Sequence, residues 1–479
     1  MASSIEWLTA LELRALYRRA ALSPVEVAET AFARIERYNG ALNAFMVIDR
    51  EGAMAQAQAS AARWRRGTPL SPLDGVPVTI KDTVDLQGFP TRAGSQTTPD
   101  APAAHDCPEA ARLREAGCVI LGKTTTPEFG WKGMTDGPLF GTTRNPWNLE
   151  RTPGGSSGGA AAALAAGIGT LALGTDGGGS VRIPATHCGL FGLKPTFGRV
   201  PHAPHKGAFG TLVAAGPITR SVSDAALMLN EMARPDPRDW YALPYTGEDF
   251  GADLWRGVDG LKIAVTTTFG GAQTDPEVAT LVQAAARVLE QLGAIVEEVG
   301  EITAPLRPRF EAYWLAGFGE TLARIPPARW PELDPGFLEL ARRGQSVTRA
   351  EAYAGELARI ELGTEMALFH QRHDLLLMPT IPAPPVNAAM PYHAQGNDRW
   401  ARATPFTVAF NYTGQPCATI RCGFTSDGLP AGLQIVGPKY SEGLILRAAA
   451  AYEAASQASL WPTPALAASL KKMAVDPTA

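Results

Sequence analysis

The sequence predicts an α/β fold: a single large domain whose central β-sheet is covered by helices on both faces. Three observations predict it. Helix-like and strand-like segments alternate along most of the chain, the pattern of strands returned by helices. The apolar fraction is 45% and the charged fraction 19%, the balance of a globular protein with a sizeable core. The 479 residues contain no fixed-period repeat and no low-complexity linker, and large α/β enzymes often keep such a length in one unit.

Taken in order, residues 1–65 are expected to be an N-terminal helical segment packed on the core. Ser23-Pro24 followed by Glu26 marks a helix start, with Ser23 as cap and Pro24 in the first turn. VEVAETAFARIERY continues it with apolar residues at helical spacing. The main domain is expected over 66–479. Its first strand is the apolar run Val76–Ile80, ending at Lys81-Asp82. Residues 107–117 predict a short helix and 118–121 a strand; a loop-rich stretch fills 122–156. An alanine-rich helix at about 158–166, an apolar strand at 168–173 and a glycine cluster at 177–179 follow. A more variable, helical insertion is expected over about 225–400, with helices at 276–292 and 349–370 and a buried strand at 374–379. CATIRCGF and GLPAGLQIVGP are strand-like.

Composition narrows the function. Net charge is −4 and the nearest basic run, Arg65-Arg66, is too short to track a phosphate backbone, so nucleic acid is not an expected partner. Glu6, Glu12, Arg14, Arg18 and Arg19 break up the N-terminal apolar residues, unlike a signal peptide. The longest uncharged stretch, Thr152 to Thr175, is mostly Gly, Ala and Ser, too weakly apolar to span a membrane. A soluble, cytoplasmic protein is expected. The five cysteines are odd in number and contain no CxxC, and the seven histidines lack HExxH spacing. Neither a disulfide framework nor a metal site is expected.

Two motif matches fail on context. GCVILGKT (117–124) fits a phosphate-binding loop literally, but Cys-Val-Ile-Leu want burial in a strand. Lys123 and Thr124 are then expected at the strand end, near the mouth of a site. GGSSG (154–158) fits the GxSxG elbow, yet Pro153 and a polar loop precede it, where a strand is required. His370, His373 and His393 offer no matching context for the elbow's base.

The third pattern uses more of the text. Gly154-Gly155-Ser156-Ser157-Gly158-Gly159 and Gly177-Gly178-Gly179-Ser180 are joined by a helix and a strand, which returns the chain to the same edge. Glycines before Ser180 let successive amides converge on one point, as an oxyanion hole requires. Each cluster alone is also compatible with a turn needed only for close packing.

GTTRNPWNLERTPGGSSGGAAAALAAG and LGTDGGGSVRIPATHCGLFGLKPTFGRV, within 141–200, resemble the core of the amidase signature family. LDGVPVTIKD (73–82), LREAGCVILGKTTTPEFG, GPITRSVSDAALML, HDLLLMPTIP and TGQPCATIRCGFTSDGLPAGLQIVGP resemble its other blocks, so the likeness runs from about 20 to 455. The resemblance implies a mixed sheet and a cofactor-free amide hydrolase. It makes Ser180 the nucleophile, Ser156 the bridging serine with a cis peptide after Gly155, and Lys81 the base. Backbone amides of Gly177, Gly178, Gly179 and Ser180 become the oxyanion hole, with Ser157, Asp176 and Arg182 in support. Trp131, Met134 and Phe140 fall in the segment resembling the acyl-pocket wall, a role that competes with plain core packing. Gly177 stands where Thr or Ile is common, and His187 where Phe is common.

Lysine can serve as base only when neutral, and burial at the end of VPVTI would favour that form. The implied substrate is a small aryl or alkyl amide; esters and carbamates (urethanes) share the acyl-enzyme chemistry and join the candidates. A monomer or homodimer is expected. The alternative is the glutamine amidotransferase subunit of a tRNA-dependent amidotransferase complex, against which the lack of a basic composition weighs. A non-enzymatic binding protein on the same scaffold would have no use for the intact triad.

Overall fold

The computed structural model describes residues 4–205, 207–390, 405–456, 458 and 461–473. Among these, eleven strands form one sheet. From the first half of the chain come β1 (Phe45–Ile48), β2 (Pro77–Lys81), β3 (Val119–Thr124), β4 (Leu171–Asp176), β5 (Phe191–Lys194) and β6 (Ala214–Thr219). From the second come β7 (Lys262–Val265), β8 (Ile295–Glu298), β9 (Leu375–Pro379), β10 (Cys417–Phe424) and β11 (Pro430–Val436). Their order across the sheet is β1-β3-β2-β4-β6-β5-β10-β11-β9-β7-β8. β2 runs parallel to β3 and β4, and β7 parallel to β8 and β9; the remaining pairs are antiparallel. The sheet is therefore mixed.

Side-chain alternation along the strands divides the core into faces. Val78, Ile80, Ile120, Leu375, Leu377, Leu433 and Ile435 join one apolar cluster. Their neighbours Val119 and Leu121, or Leu376, Met378 and Val436, join others on the opposite face. Both faces are covered, which is why these strands read as continuous apolar runs. The helices α1 (Ala10–Arg18), α2 (Pro24–Leu42), α3 (Arg50–Arg66), α4 (Pro108–Glu115), α5 (Gly158–Ala165), α6 (Arg182–His187), α7 (Val222–Met232) and α8 (Pro276–Gln291) are joined by α9 (Arg307–Ala323), α10 (Pro335–Gln345), α11 (Arg349–Phe369) and α12 (Pro405–Tyr412). Apolar residues of α1, α4, α7 and α8 enter the first cluster, those of α2 and α3 a second, and those of α9 to α12 a third, while those of α5 divide between the second and a small fourth. The start of α2 follows its sequence signal: Ser23 Oγ accepts from the amides of Val25 and Glu26, and Ser23 N–H donates to Glu26 Oε2 at 2.8 Å.

Two expectations need correction. The N-terminal segment is not purely helical, because β1 lies within it and pairs with β3 at the sheet edge. The region 225–400 is not a helical insertion alone, because β7 and β8 extend the sheet beside β9. β8 reads IVEE, and exposed glutamates at the edge of a sheet leave no apolar run to recognise. No described helix is long and apolar enough to cross a membrane.

Candidate active site

β2 and β4 run side by side with Ile80 opposite Leu173, so Lys81 and the Thr175-Asp176 pair finish at the same end of the parallel strands. Val78 and Ile80 point into the first core; Lys81, one residue on, points to the other face, where α5 begins. It is 1% exposed. Lys81 Nζ lies 2.7 Å from Ser156 Oγ, 3.0 Å from Thr175 Oγ1 and 3.2 Å from the Thr175 carbonyl. Burial strips water from the ammonium and lowers its pKa to about 7, against the opposing pull of Asp176.

Ser156 is held in the turn that leads into α5, and its peptide bond with Gly155 is cis. A Cβ on Gly155 would come within 2.7 Å of the Met134 backbone, so only glycine admits this approach. Ser157 N–H donates to the Ser180 carbonyl at 3.2 Å, which brings the two Gly-Ser clusters into contact. Ser180 is half-buried where Ser156 is buried. Ser157 Oγ donates weakly to the Thr175 carbonyl, at 3.4 Å.

The turn after β4 is organised by one carboxylate. Asp176 accepts from Gly179 N–H at 2.6 Å and Val181 N–H at 3.1 Å. Arg182 Nε and Nη2 reach its two oxygens, both at 2.9 Å. Burial alone would raise this carboxyl, but the Arg182 guanidinium overrides it and holds the pKa well below the usual range. Because Gly179 N–H is spent on Asp176, it cannot also face a ligand oxygen. The amides of Gly177, Gly178 and Ser180 make no hydrogen bond to any described residue.

Several residues that hold this turn escaped sequence reasoning. Arg182 also donates to Asn411 Oδ1 at 2.7 Å, Gln434 Oε1 at 2.8 Å and the Thr407 carbonyl at 2.9 Å. Asn411 Nδ2 donates to Asp176 Oδ1 at 2.9 Å, and Thr407 Oγ1 to the Gly178 carbonyl at 2.8 Å. Only Thr175, next to Asp176, carried a local signal; the others lie on α12 and β11, more than 200 residues on.

The remaining expectations fare unevenly. Lys123 is the last residue but one of β3 and does not reach a site mouth: it is fully buried, with Nζ 3.2 Å from Asp82 Oδ1. Met134 packs on Gly155 as noted, and Trp131 is buried in the apolar cluster of α9 to α12. Phe140 is half-buried; Asn43 Nδ2 donates to its carbonyl at 2.5 Å, and among the described residues no hydrogen bond or ring contact joins it to the serine turns. His187 is buried against Gly154, and burial lowers its pKa to about 4, so the ring stays neutral. His370 engages the His373 carbonyl and His373 engages Glu297, away from both serines; His393 lies outside the described residues. Among the described residues, no group of three or more His, Cys, Asp or Glu is placed to hold a metal.

The profile of the amidase family matches residues 26–446. The chain is 36% identical over 460 residues to an acylamidase of Rhodococcus erythropolis, covering 94% of this chain and 96% of that one. It is also 36% identical over 487 residues to a glutamyl-tRNA(Gln) amidotransferase subunit from Moorella thermoacetica, covering 94% and 97%. Among solved structures, a bacterial aryl acylamidase of the amidase signature enzymes superposes with a TM-score of 0.88 at 31% identity, over 99% of this chain and 100% of that one. A 6-aminohexanoate cyclic dimer hydrolase complexed with substrate superposes with a TM-score of 0.87 at 28% identity, over 96% and 99%. With that match running through both serine turns and the buried lysine, the chain belongs to the amidase signature family and is an amide C–N hydrolase.

Proposed function

We propose that the chain hydrolyses small aryl or alkyl amides through an acyl-enzyme on Ser180, with Ser156 and Lys81 as its proton relay. The observation that carries this reading is the buried Lys81 amine, 2.7 Å from Ser156 Oγ and neutral from about pH 7 upward. A serine hydroxyl attacks a carbonyl only as a base takes its proton. The proton passes from Ser180 to Ser156 and on to Lys81. The amides of Gly177, Gly178 and Ser180 receive the developing oxyanion, while Gly179 anchors the turn through Asp176. Ser156 then returns a proton to the departing nitrogen, and water hydrolyses the acyl-enzyme. Esters and carbamates enter the same path, since only the leaving group differs.

The test is hydrolysis by the purified single chain of an anilide, a primary amide, an ester and a carbamate sharing one acyl group, where the linkage allows. Turnover of the amides is expected, and Ser180→Ala is expected to remove it to the limit of detection. The likeness to amidotransferase subunits favours a second reading, membership of a tRNA-dependent complex. Turnover that appears only when partner chains are supplied would decide for that reading.

A further inference from the structure

The relay fixes where the scissile nitrogen must sit. Ser156 has to return a proton to it, so the nitrogen comes within about 3 Å of Ser156 Oγ. A Cβ placed on Gly130 would lie 3.0 Å from that oxygen and 3.8 Å from Phe209 Cε2. The other end of the same ring reaches the oxyanion turn: a Cβ on Gly177 would meet Phe209 Cγ at 2.9 Å. Phe209 thus spans the gap between the amides that hold the oxygen and the hydroxyl that protonates the nitrogen.

The ring is braced from behind. Trp314, on α9, stands 4.8 Å from it at a tilt of 57°, and a Cβ on Gly178 would meet Trp314 Cη2 at 2.6 Å. Phe318, one turn further along α9, stands edge-on to both rings at 5.6 and 6.0 Å. Trp314 and Phe318 are buried, whereas Phe209 is half-buried, so Phe209 is the ring of this group that keeps a face for a ligand.

We infer that Phe209, braced by Trp314, selects substrates whose scissile nitrogen carries a flat aromatic ring. The inference rests on the relay reading, which locates the nitrogen. An aryl group conjugated to the amide nitrogen leaves it as a rigid plate. Against Phe209 it can stack offset or meet edge to face, which adds to what area burial alone supplies. A saturated ring of the same size gains the area and not the ring pairing.

The test compares acetanilide with N-cyclohexylacetamide, which share an acyl group and have nearly the same bulk. Phe209→Leu is expected to lower the anilide-to-cyclohexylamide ratio of kcat/KM by about three- to tenfold. Phe209→Tyr is expected to keep the ratio. Lengthening the acyl group from acetyl to butyryl should affect wild type and Phe209→Leu alike. An unchanged ratio, or a changed acyl-length preference in its place, would overturn the assignment. Should Phe209→Leu fail to fold, or turnover prove too slow to compare, calorimetric binding of the same two amides to Ser180→Ala decides: tighter anilide binding supports the inference and equal affinities overturn it. Turnover retained by Ser180→Ala would instead sink the relay reading, a result separable from either ratio.

Discussion

Among the described residues, an ammonium at position 81 would find no counter-charge within hydrogen-bond reach, since its neighbours are two hydroxyls and a carbonyl. Burial therefore governs, and the amine loses its proton near pH 7, where a lysine in water holds it to 10.5. With the neutral amine as base, kcat/KM is expected to climb as pH rises through about 7 and to level off above it. A profile flat across that range would remove Lys81 from the relay. The same shift bears on stability, with a definite sign. Between about 7 and 10.5 the unfolded chain binds a proton at this lysine that the folded chain lacks. The penalty is thus complete below about pH 7 and fades as pH rises toward 10.5. Lys81→Met keeps the length of the side chain and discards the charge. It is expected to abolish turnover while stabilising the fold by on the order of a few kcal/mol at and below neutral pH, a gain that shrinks in alkaline melts. A loss of stability at pH 6 on this substitution would contradict the burial argument.

The turn that presents Ser180 is held by elements that meet only in the folded chain: α6 supplies Arg182, α12 supplies Thr407 and Asn411, and β11 supplies Gln434. Arg182→Met would leave the Asp176 carboxylate buried without its cation, which typically costs about 3–5 kcal/mol. Adding Asp176→Asn removes the stranded charge, so the double variant is expected to recover much of that stability in denaturant titrations. Turnover should stay low in both, because either variant lacks the Arg182 guanidinium that ties the turn to Thr407 and Asn411. A double variant no more stable than Arg182→Met would show that the pair is not what the turn leans on. This scale also marks how far the sequence could be read. Asp176 and Arg182 are six apart in one recognisable block, and both were legible. Asn411, Thr407 and Gln434 were not, because a polar residue in an otherwise apolar helix or strand shows no partner until the chain has folded. Phe209 and Trp314 escaped for a related reason: nothing local distinguishes an aromatic that lies against the glycines before Ser180 from one that fills a core.

Across the whole molecule, the strands rich in branched apolar residues, β2, β3, β9, β10 and β11, were visible because both their faces are buried. β1, β5, β6, β7 and β8 were not: they are short, broken by Gly or Pro, or glutamate-bearing at the edge. Those hidden strands decide how the molecule holds together. β5 pairs with β10, so residues 192–194 and 417–419 share one ladder. β9 lies between β11 and β7, so Leu375–Pro379, within the region 225–400, is an interior strand of the same sheet. No cut in sequence therefore separates two self-sufficient cores, because each side would carry an unpaired sheet edge with its apolar faces open to water. The full chain is accordingly expected to melt in a single calorimetric transition, with near-ultraviolet and far-ultraviolet circular dichroism lost together. Deleting 225–400 removes β7, β8 and β9 and strips the outer flank of β11, and the product is expected to lack a cooperative melt. Two resolved transitions in the intact chain, or a 225–400 fragment with a sharp melt of its own, would show that the insertion folds independently and that the continuous sheet is not the unit of stability.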